Sequence, residues 1–369
     1  MKQNSLKMNK RNSSSLITFL ILFTFTTLNS CKNEVKEQKQ KETTKTVYAS
    51  EVTPFFDHWK LILGDGSNAG FANNFENKDF FYTANDGKSD WVVYKAPNAG
   101  DTHGTSNNTR TELAQAKKWY PKTADDKLTA TLKVMNVSST GDARVAASYA
   151  VVVGQIHSAD GHENEPLKIF YKKFPGHTKG SVFWHYEINT AGEDNSGRWD
   201  YSSAVWGNDF SVVGTEENTY PEEPKNGIAL GEEFSYEIEV KDGIMNLKFT
   251  SEGHETKTFT KNLIQSEYTT TADIPEQTQN LFVPIGQDGI ERETAYTGEG
   301  LFFKLGAYNQ TNGKSPDVNK NWCSGAETHD GDIQKQYADG NYAEVWFKTA
   351  SIKVSDAAVS NDGYFAKND

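Results

Sequence analysis

The chain has 369 residues, of which 36% are hydrophobic and 12% aromatic (21 Phe, 16 Tyr and 8 Trp), too many large apolar side chains for a disordered protein. Its 29 Gly and 10 Pro fall short of a low-complexity or collagen-like composition. The formal net charge of −12 argues against a nucleic-acid partner, which normally meets a basic surface.

Residues 1–30 carry Lys2, Lys7, Lys10 and Arg11 and no acid, and an apolar stretch runs from Leu16 to Thr27. A charged segment followed by an apolar one is the pattern of a secretory signal. It ends in Leu28-Asn29-Ser30-Cys31, which resembles a bacterial lipobox, so Cys31 is the expected lipidation site. An ordinary cleavage site beside a chance cysteine is the alternative. Several acyl groups anchor stably where one does not, so the expectation is an exported bacterial lipoprotein, held at the outer membrane or cell surface by lipid alone. Lys32-Asn33-Glu34 lean towards the surface, with a periplasm-facing anchor as the other choice.

Only one other cysteine exists, Cys323, so an acylated Cys31 leaves no disulfide, and Cys-based metal sites are excluded. Residues 31–47 are polar and rich in Lys, Glu, Gln and Thr, a flexible tether. Residues 48–369 form one expected domain, and a monomer is expected. Loss of residues 1–30 removes four basic groups and moves the net charge from −12 to −16, so an anionic ligand requires a locally basic cleft.

The folded part reads as β by its period of two. In 127–134 Leu128, Ala130, Leu132 and Val134 share a face, and in 234–240 Phe234, Tyr236, Ile238 and Val240 do. Asp242-Gly243 predicts a tight hairpin turn into 244–250, where Met245, Leu247 and Phe249 alternate. Residues 145–157, 300–310 and 342–354 are further strand candidates, rich in Val, Phe, Tyr and Trp. No long amphipathic helical pattern and no repeat is present. Such a chain predicts an all-β fold, an antiparallel sandwich or jelly roll, with a concave cleft for the ligand. The polar stretches 157–180, 189–232 and 265–300 read as long loops that close one end of a cleft or merely decorate the surface.

Three segments place polar groups on one face and largely apolar ones on the other. In Arg110-Thr111-Glu112-Leu113, Arg110 and Glu112 share a face; in Gln155-Ile156-His157, Gln155 and His157 do. In 301–310, Lys304, Tyr308 and Gln310 oppose Leu301, Phe303, Leu305 and Ala307. Singly these are weak: Arg110 and Glu112 fit a solvated pair, His157 a structural histidine, Tyr308 packing, and Gly306 a bulge. Together, RTEL, QIH and FFKLGAYNQ closely resemble the three signature blocks of the alginate lyases of polysaccharide lyase family 7. Trp59 to Leu63 is similar to that family's first strand, and the resemblance spans about 55–354. Three positions depart from the pattern. Ala114 stands where a second Arg is usual, Phe302 replaces a Tyr, and Leu305 replaces an Ala.

The resemblance implies cleavage of 1→4 uronate linkages by β-elimination, giving 4,5-unsaturated products. That chemistry needs the carboxylate neutralised, a base for H5 and an acid for O4. By the resemblance, Arg110 and Gln155 neutralise the carboxylate. His157 is the base for guluronate or a further neutraliser for mannuronate, and Tyr308 the acid to O4 and, for mannuronate, the base as well. Glu112 orients Arg110, while Lys304 and Gln310 line sugar subsites. No metal or other cofactor is called for, because side chains supply the charge. Ile156 within QIH leans towards guluronate-containing stretches, and the long loops towards exolytic cutting.

Other readings are a lyase for another uronate polymer and a non-catalytic surface glycan binder using Trp119, Trp184, Trp206 and Trp322. A glycosidase pair at Glu237 and Glu239 is disfavoured, because both face outward on an alternating strand. Asp330-Gly331-Asp332 reads as a surface turn.

Overall fold

A computed structural model describes residues 47–102, 106–159, 165–188, 199–264, 296 and 298–366. The expected signal, Cys31, almost all of the tether and nearly all of 265–300 lie outside the described residues. Thr46–Asp369 form one compact unit.

Two antiparallel sheets make up the body. The strands of the first are β1 (Trp59–Ile62), β2 (Asn68–Phe71), β5 (Arg110–Gln115), β8 (Ala150–Ser158), β9 (Leu167–Lys172), β10 (Lys179–Ile188), β11 (Trp199–Trp206) and β16 (Leu301–Asn309). They pair in the order β11-β10-β9-β8-β16-β5-β1-β2, and β12 (Ile228–Ala229) adds to β10. The second comprises β3 (Phe81–Asn85), β4 (Asp90–Pro97), β7 (Asp125–Asn136), β13 (Phe234–Lys241), β14 (Ile244–Ser251), β15 (Lys257–Asn262) and β17 (Tyr342–Lys353), ordered β15-β14-β13-β7-β17-β4-β3. A two-stranded ribbon pairs β6 (Lys117–Lys118) with β18 (Val359–Ser360). This is a jelly-roll sandwich.

Alternation explains the core. Leu128, Leu132, Tyr236, Ile238, Leu247 and Phe249 of the second sheet meet Leu113, Ile156, Trp184, Phe303 and Leu305 of the first in one cluster. Asp242 and Gly243 have φ of 48° and 81°, the positive pair that a two-residue hairpin with the right twist requires.

Two expectations need correction. The strand read over 145–157 begins only at Ala150, because 143–149 turn: Val145 N bonds to Asp142 O, and Ser148 N to Val145 O. The stretches 157–180 and 189–232 are not simply loops, since they contain β9, β11, β12 and the start of β10. All six residues of β9 are buried, so the sequence LKIFYK shows no clean inside–outside alternation. Glu237 and Glu239, disfavoured as a glycosidase pair, lie on the outer face of β13 as expected, 3.0 and 4.0 Å from Lys127 Nζ.

One glycine positions the site. The register of β16 against β8 shifts between Leu305 and Tyr308, the bulge that Gly306 hinted at. Gly306 has φ +146°, and a Cβ there would sit 2.3 Å from Thr111 O and 2.8 Å from Glu112 Cα. Gly306→Ala should therefore push β16 off β5. The expected cost is about 1–3 kcal/mol of stability, and kcat/KM should drop on the order of 10²-fold through displacement of Tyr308. Thermal melting and initial rates check this; an alanine variant with wild-type values would refute it.

Candidate active site

The three polar segments lie side by side on the outer face of the first sheet. Strand β16 is central, with β5 on one flank and β8 on the other. The register sets Tyr308 opposite Arg110, Gly306 opposite Glu112 and Lys304 opposite Gln155. The reverse faces hold Leu113, Ile156, Leu301, Phe303, Leu305 and Ala307, all in the core between the sheets. Ile156 therefore points away from the site, and any influence it has on substrate choice is indirect.

At the centre is Glu112, fully buried. Its Oε2 is 2.7 Å from Lys304 Nζ and 3.7 Å from Arg110 Nη1, and its Oε1 accepts a 2.5 Å hydrogen bond from Gln155 Nε2. An ionised carboxylate only accepts, so it fixes the amide orientation of Gln155. Gln155 is itself fully buried, and its Oε1 has no hydrogen-bond partner among the described residues. Arg110 Nε is also without a partner, and the guanidinium carbon sits 3.9 Å over the Tyr308 ring. Tyr308 Oη lies 3.2 Å from Ser106 Oγ.

His157 occupies the far end of β8. Its Nδ1 lies 2.6 Å from the Ser158 carbonyl oxygen. That carbonyl can only accept, so Nδ1 carries the proton and Nε2 is bare in the neutral ring. Burial pushes the imidazole down to about 4; Lys304 and Arg110 add to the shift, while Glu165, 3.5 Å from Nε2, opposes it. Burial likewise lowers Lys304 to about 8, with Glu112 opposing. His157 is thus a neutral base at neutral pH, and Lys304 a cation on the edge of losing its charge.

Of the expected residues, Arg110, Gln155, His157 and Tyr308 come together. Lys304, expected to line a sugar subsite, is fully buried against Glu112, the residue expected to orient Arg110, and Gln155 is fully buried beside them. Gln310 is buried with its Nε2 3.3 Å from the Tyr308 carbonyl, so it braces its own strand. Among the tryptophans, Trp119, Trp184 and Trp206 belong to the core, leaving Trp322 half-buried on the cleft face.

Sequence reasoning missed several neighbours. The row Lys304–Gln155 continues across the sheet as Lys168 and His185. Lys168 Nζ lies 2.7 Å from Glu187 and 3.0 Å from Glu165. Beside this row Val152, Phe170 and Phe183 form an apolar floor under Phe210 and Trp322. The other border is Ala114, Ala159, Phe302 and Phe365, with Tyr364 against them. Ala114 and Phe302 stand out in the sequence as departures from the family pattern and Trp322 as a candidate sugar platform, but no motif flags Lys168, His185, Phe170 or Phe183, which only the pairing of β8, β9 and β10 gathers.

The outer face of this jelly roll joins a guanidinium, an amide, a neutral imidazole and a phenol, groups suited to neutralising a carboxylate and moving protons, as a polysaccharide lyase requires. The family model for alginate lyase matches residues 55–354, and the chain belongs to that family, in polysaccharide lyase family 7. It is an alginate lyase, acting by β-elimination. The chain is 64% identical to the exolytic family 7 alginate lyase AlyA5 of Zobellia galactanivorans, covering 84% of this chain and 99% of that one with a TM-score of 0.76. An alginate lyase from Klebsiella pneumoniae is 27% identical over 279 residues, 67% of this chain and 76% of the relative. A solved alginate lyase structure from the same organism shares the fold at 21% identity and a TM-score of 0.55, covering 82% and 96% of the two chains.

The pH profile should carry both shifted groups. kcat/KM of the free enzyme should hold well below the ordinary histidine range and fall only as pH approaches about 4, where His157 takes a proton. On the alkaline side it should fall above about 8, as Lys304 loses its charge. Because the unfolded chain protonates His157 near 6.5, its burial contributes stability that is full above that value and lost as pH falls towards 4. Rates across pH, paired with melting curves, test this; an acid limb near 6.5 would count against the neutral buried base.

Proposed function

We propose that this alginate lyase trims chains exolytically, prefers guluronate-containing stretches, and works from a lipid anchor on the bacterial surface. The observation that carries the mode is the 64% identity with an exolytic enzyme over 99% of that enzyme's length. Phe210 and Trp322 standing on the cleft face beside the catalytic row support it.

In the proposed reaction Arg110 and the amide of Gln155 grip the carboxylate of the uronate on the C4-linked side of the scissile bond. Their donors stabilise the enolate-like charge that develops when C5 loses its proton. His157 Nε2 takes H5, the C4–O4 bond breaks, the C4=C5 double bond forms, and Tyr308 Oη protonates the departing O4. Proton return from the imidazolium and to the phenolate, through solvent, resets the site. Separate acid and base on β16 and β8 suit guluronate, whose H5 and O4 leave from opposite sides of the ring. With mannuronate both leave from one side, and Tyr308 would serve as base and acid.

The catalytic test uses protein lacking residues 1–31, given polyguluronate, polymannuronate and mixed alginate. Ultraviolet absorbance of the new double bond should rise fastest on guluronate-containing chains while viscosity persists. Tyr308→Phe should reduce kcat by at least about 10²-fold. Early collapse of viscosity would overturn the exolytic mode, and faster turnover of polymannuronate the preference.

The anchor is supported by residues 1–31 alone. Metabolic labelling with a fatty acid should mark the full-length protein and leave Cys31→Ser unlabelled. Equal labelling of both would reject lipidation at Cys31.

A further inference from the structure

The match to the family model ends at residue 354, and the chain continues to the border of the site. After β17 the backbone pairs as β18 with β6, and Asn361, itself buried, is pinned to β5 and its exit. Its N–H bonds to Ala116 O at 2.9 Å and its Nδ2 to Gln115 O at 3.2 Å. A short helix, Asp362–Ala366, follows. It is tied to β1 by Lys60, whose Nζ sits 2.9 Å from Asp362 Oδ1 and 4.4 Å over the Phe365 ring.

That helix delivers two aromatic rings to the border of the catalytic row. Phe365, 1% exposed, packs with Ala114 and Phe302. Ala114 shares the outer face of β5 with Arg110 and Glu112, and a longer side chain there would run into the space Phe365 fills. Tyr364 lies one step nearer the chemistry. Its ring centroid is 4.7 Å from Phe302 and 5.5 Å, edge-on, from the His157 imidazole. The residue is half-buried. Burial raises its phenol above the ordinary range; the charge of Arg110 opposes that shift, and Glu112, Glu165 and Tyr308 add to it. The ring therefore stands against the imidazole end of the catalytic row.

We propose that Tyr364, supplied by the C-terminal helix, is a substrate-contacting residue of this lyase. Its hydroxyl hydrogen-bonds the uronate gripped by Arg110, on the wall that Ala114 is too small to build. The phenol stays protonated at working pH and so donates to a carboxylate or ring oxygen without adding a charge. The C-terminal helix is then part of the binding site as well as a cover for the sheet edge.

This inference rests on Arg110 and Gln155 holding the scissile uronate, and the test separates the two. Tyr364→Phe keeps the ring against His157 and Phe302 and removes only the hydroxyl. It should raise KM for an oligoguluronate about three- to tenfold with kcat within about twofold, the loss of one neutral hydrogen bond, at an unchanged melting temperature. In a Tyr308→Phe background that cannot turn over, adding Tyr364→Phe should weaken binding of the same oligosaccharide by a similar factor. Wild-type KM and unchanged binding in these variants would overturn the contact and leave Tyr364 as packing. Arg110→Gln, measured in parallel, reads the underlying assignment. If that variant keeps wild-type binding, the carboxylate site itself is misplaced; if it loses binding while Tyr364→Phe does not, only the present inference fails.

Discussion

A single buried carboxylate organises the catalytic face. Glu112 is inaccessible to water, and an unpaired charge there would be prohibitive, so Lys304 and the Gln155 amide close on it and Arg110 leans towards it. Each partner belongs to a different segment: Arg110 and Glu112 to β5, Lys304 to β16, Gln155 to β8. The carboxylate thereby links three strands at one level of the sheet. Breaking a buried pair by removing one partner costs about 3–5 kcal/mol, because the remaining charge stays buried. Without Glu112, two cations would face each other beneath a site that must bind an anion.

What this arrangement achieves is a division of labour among cations. Lys304 is spent on Glu112, while Arg110, at the longer distance of 3.7 Å, keeps its Nε unpartnered and its guanidinium over Tyr308. One cation holds the scaffold and the other is left for the proposed grip on the uronate. The same carboxylate turns the Gln155 amide so that a nitrogen, and not an oxygen, is held in place, which is the orientation a uronate carboxylate needs. The cations of this face are matched by Glu112, Glu165 and Glu187, so directed donors, and not a net positive field, are what it offers an anionic polymer.

Two apolar borders set the electrostatic scale of the groove. Phe170 and Phe183 under Phe210 and Trp322 lie on one side, and Phe302 and Phe365 with Tyr364 on the other. They exclude water from the polar row between them, which depresses both His157 and Lys304. A histidine kept neutral with its Nδ1 proton committed to Ser158 O is ready to accept at Nε2. The second border comes in part from the C-terminal helix, so the environment of the imidazole is completed by residues that follow the last long strand.

Much of this was legible in the sequence, because period-two alternation is a local property. It assigned Arg110, Gln155, His157 and Tyr308 to one face and Leu113, Ile156 and Phe303 to the other, and it placed the hairpin at Asp242-Gly243 and marked a bulge at Gly306. Alternation falls silent where both faces are covered. That hid β9 within an apparent loop and left three core tryptophans looking like sugar platforms. It also does not distinguish a polar side chain that meets the ligand from one buried beneath it. Lys304 and Gln310 share the face of Tyr308, yet one is consumed by Glu112 and the other by the backbone of β16. Those outcomes, like the arrival of Tyr364 beside His157, depend on strands and a helix brought together from distant parts of the chain. The residue types and their faces are thus properties of the sequence by itself. Which charges stay free for chemistry was decided by the tertiary structure, because burial and pairing are set by neighbours that no local pattern names.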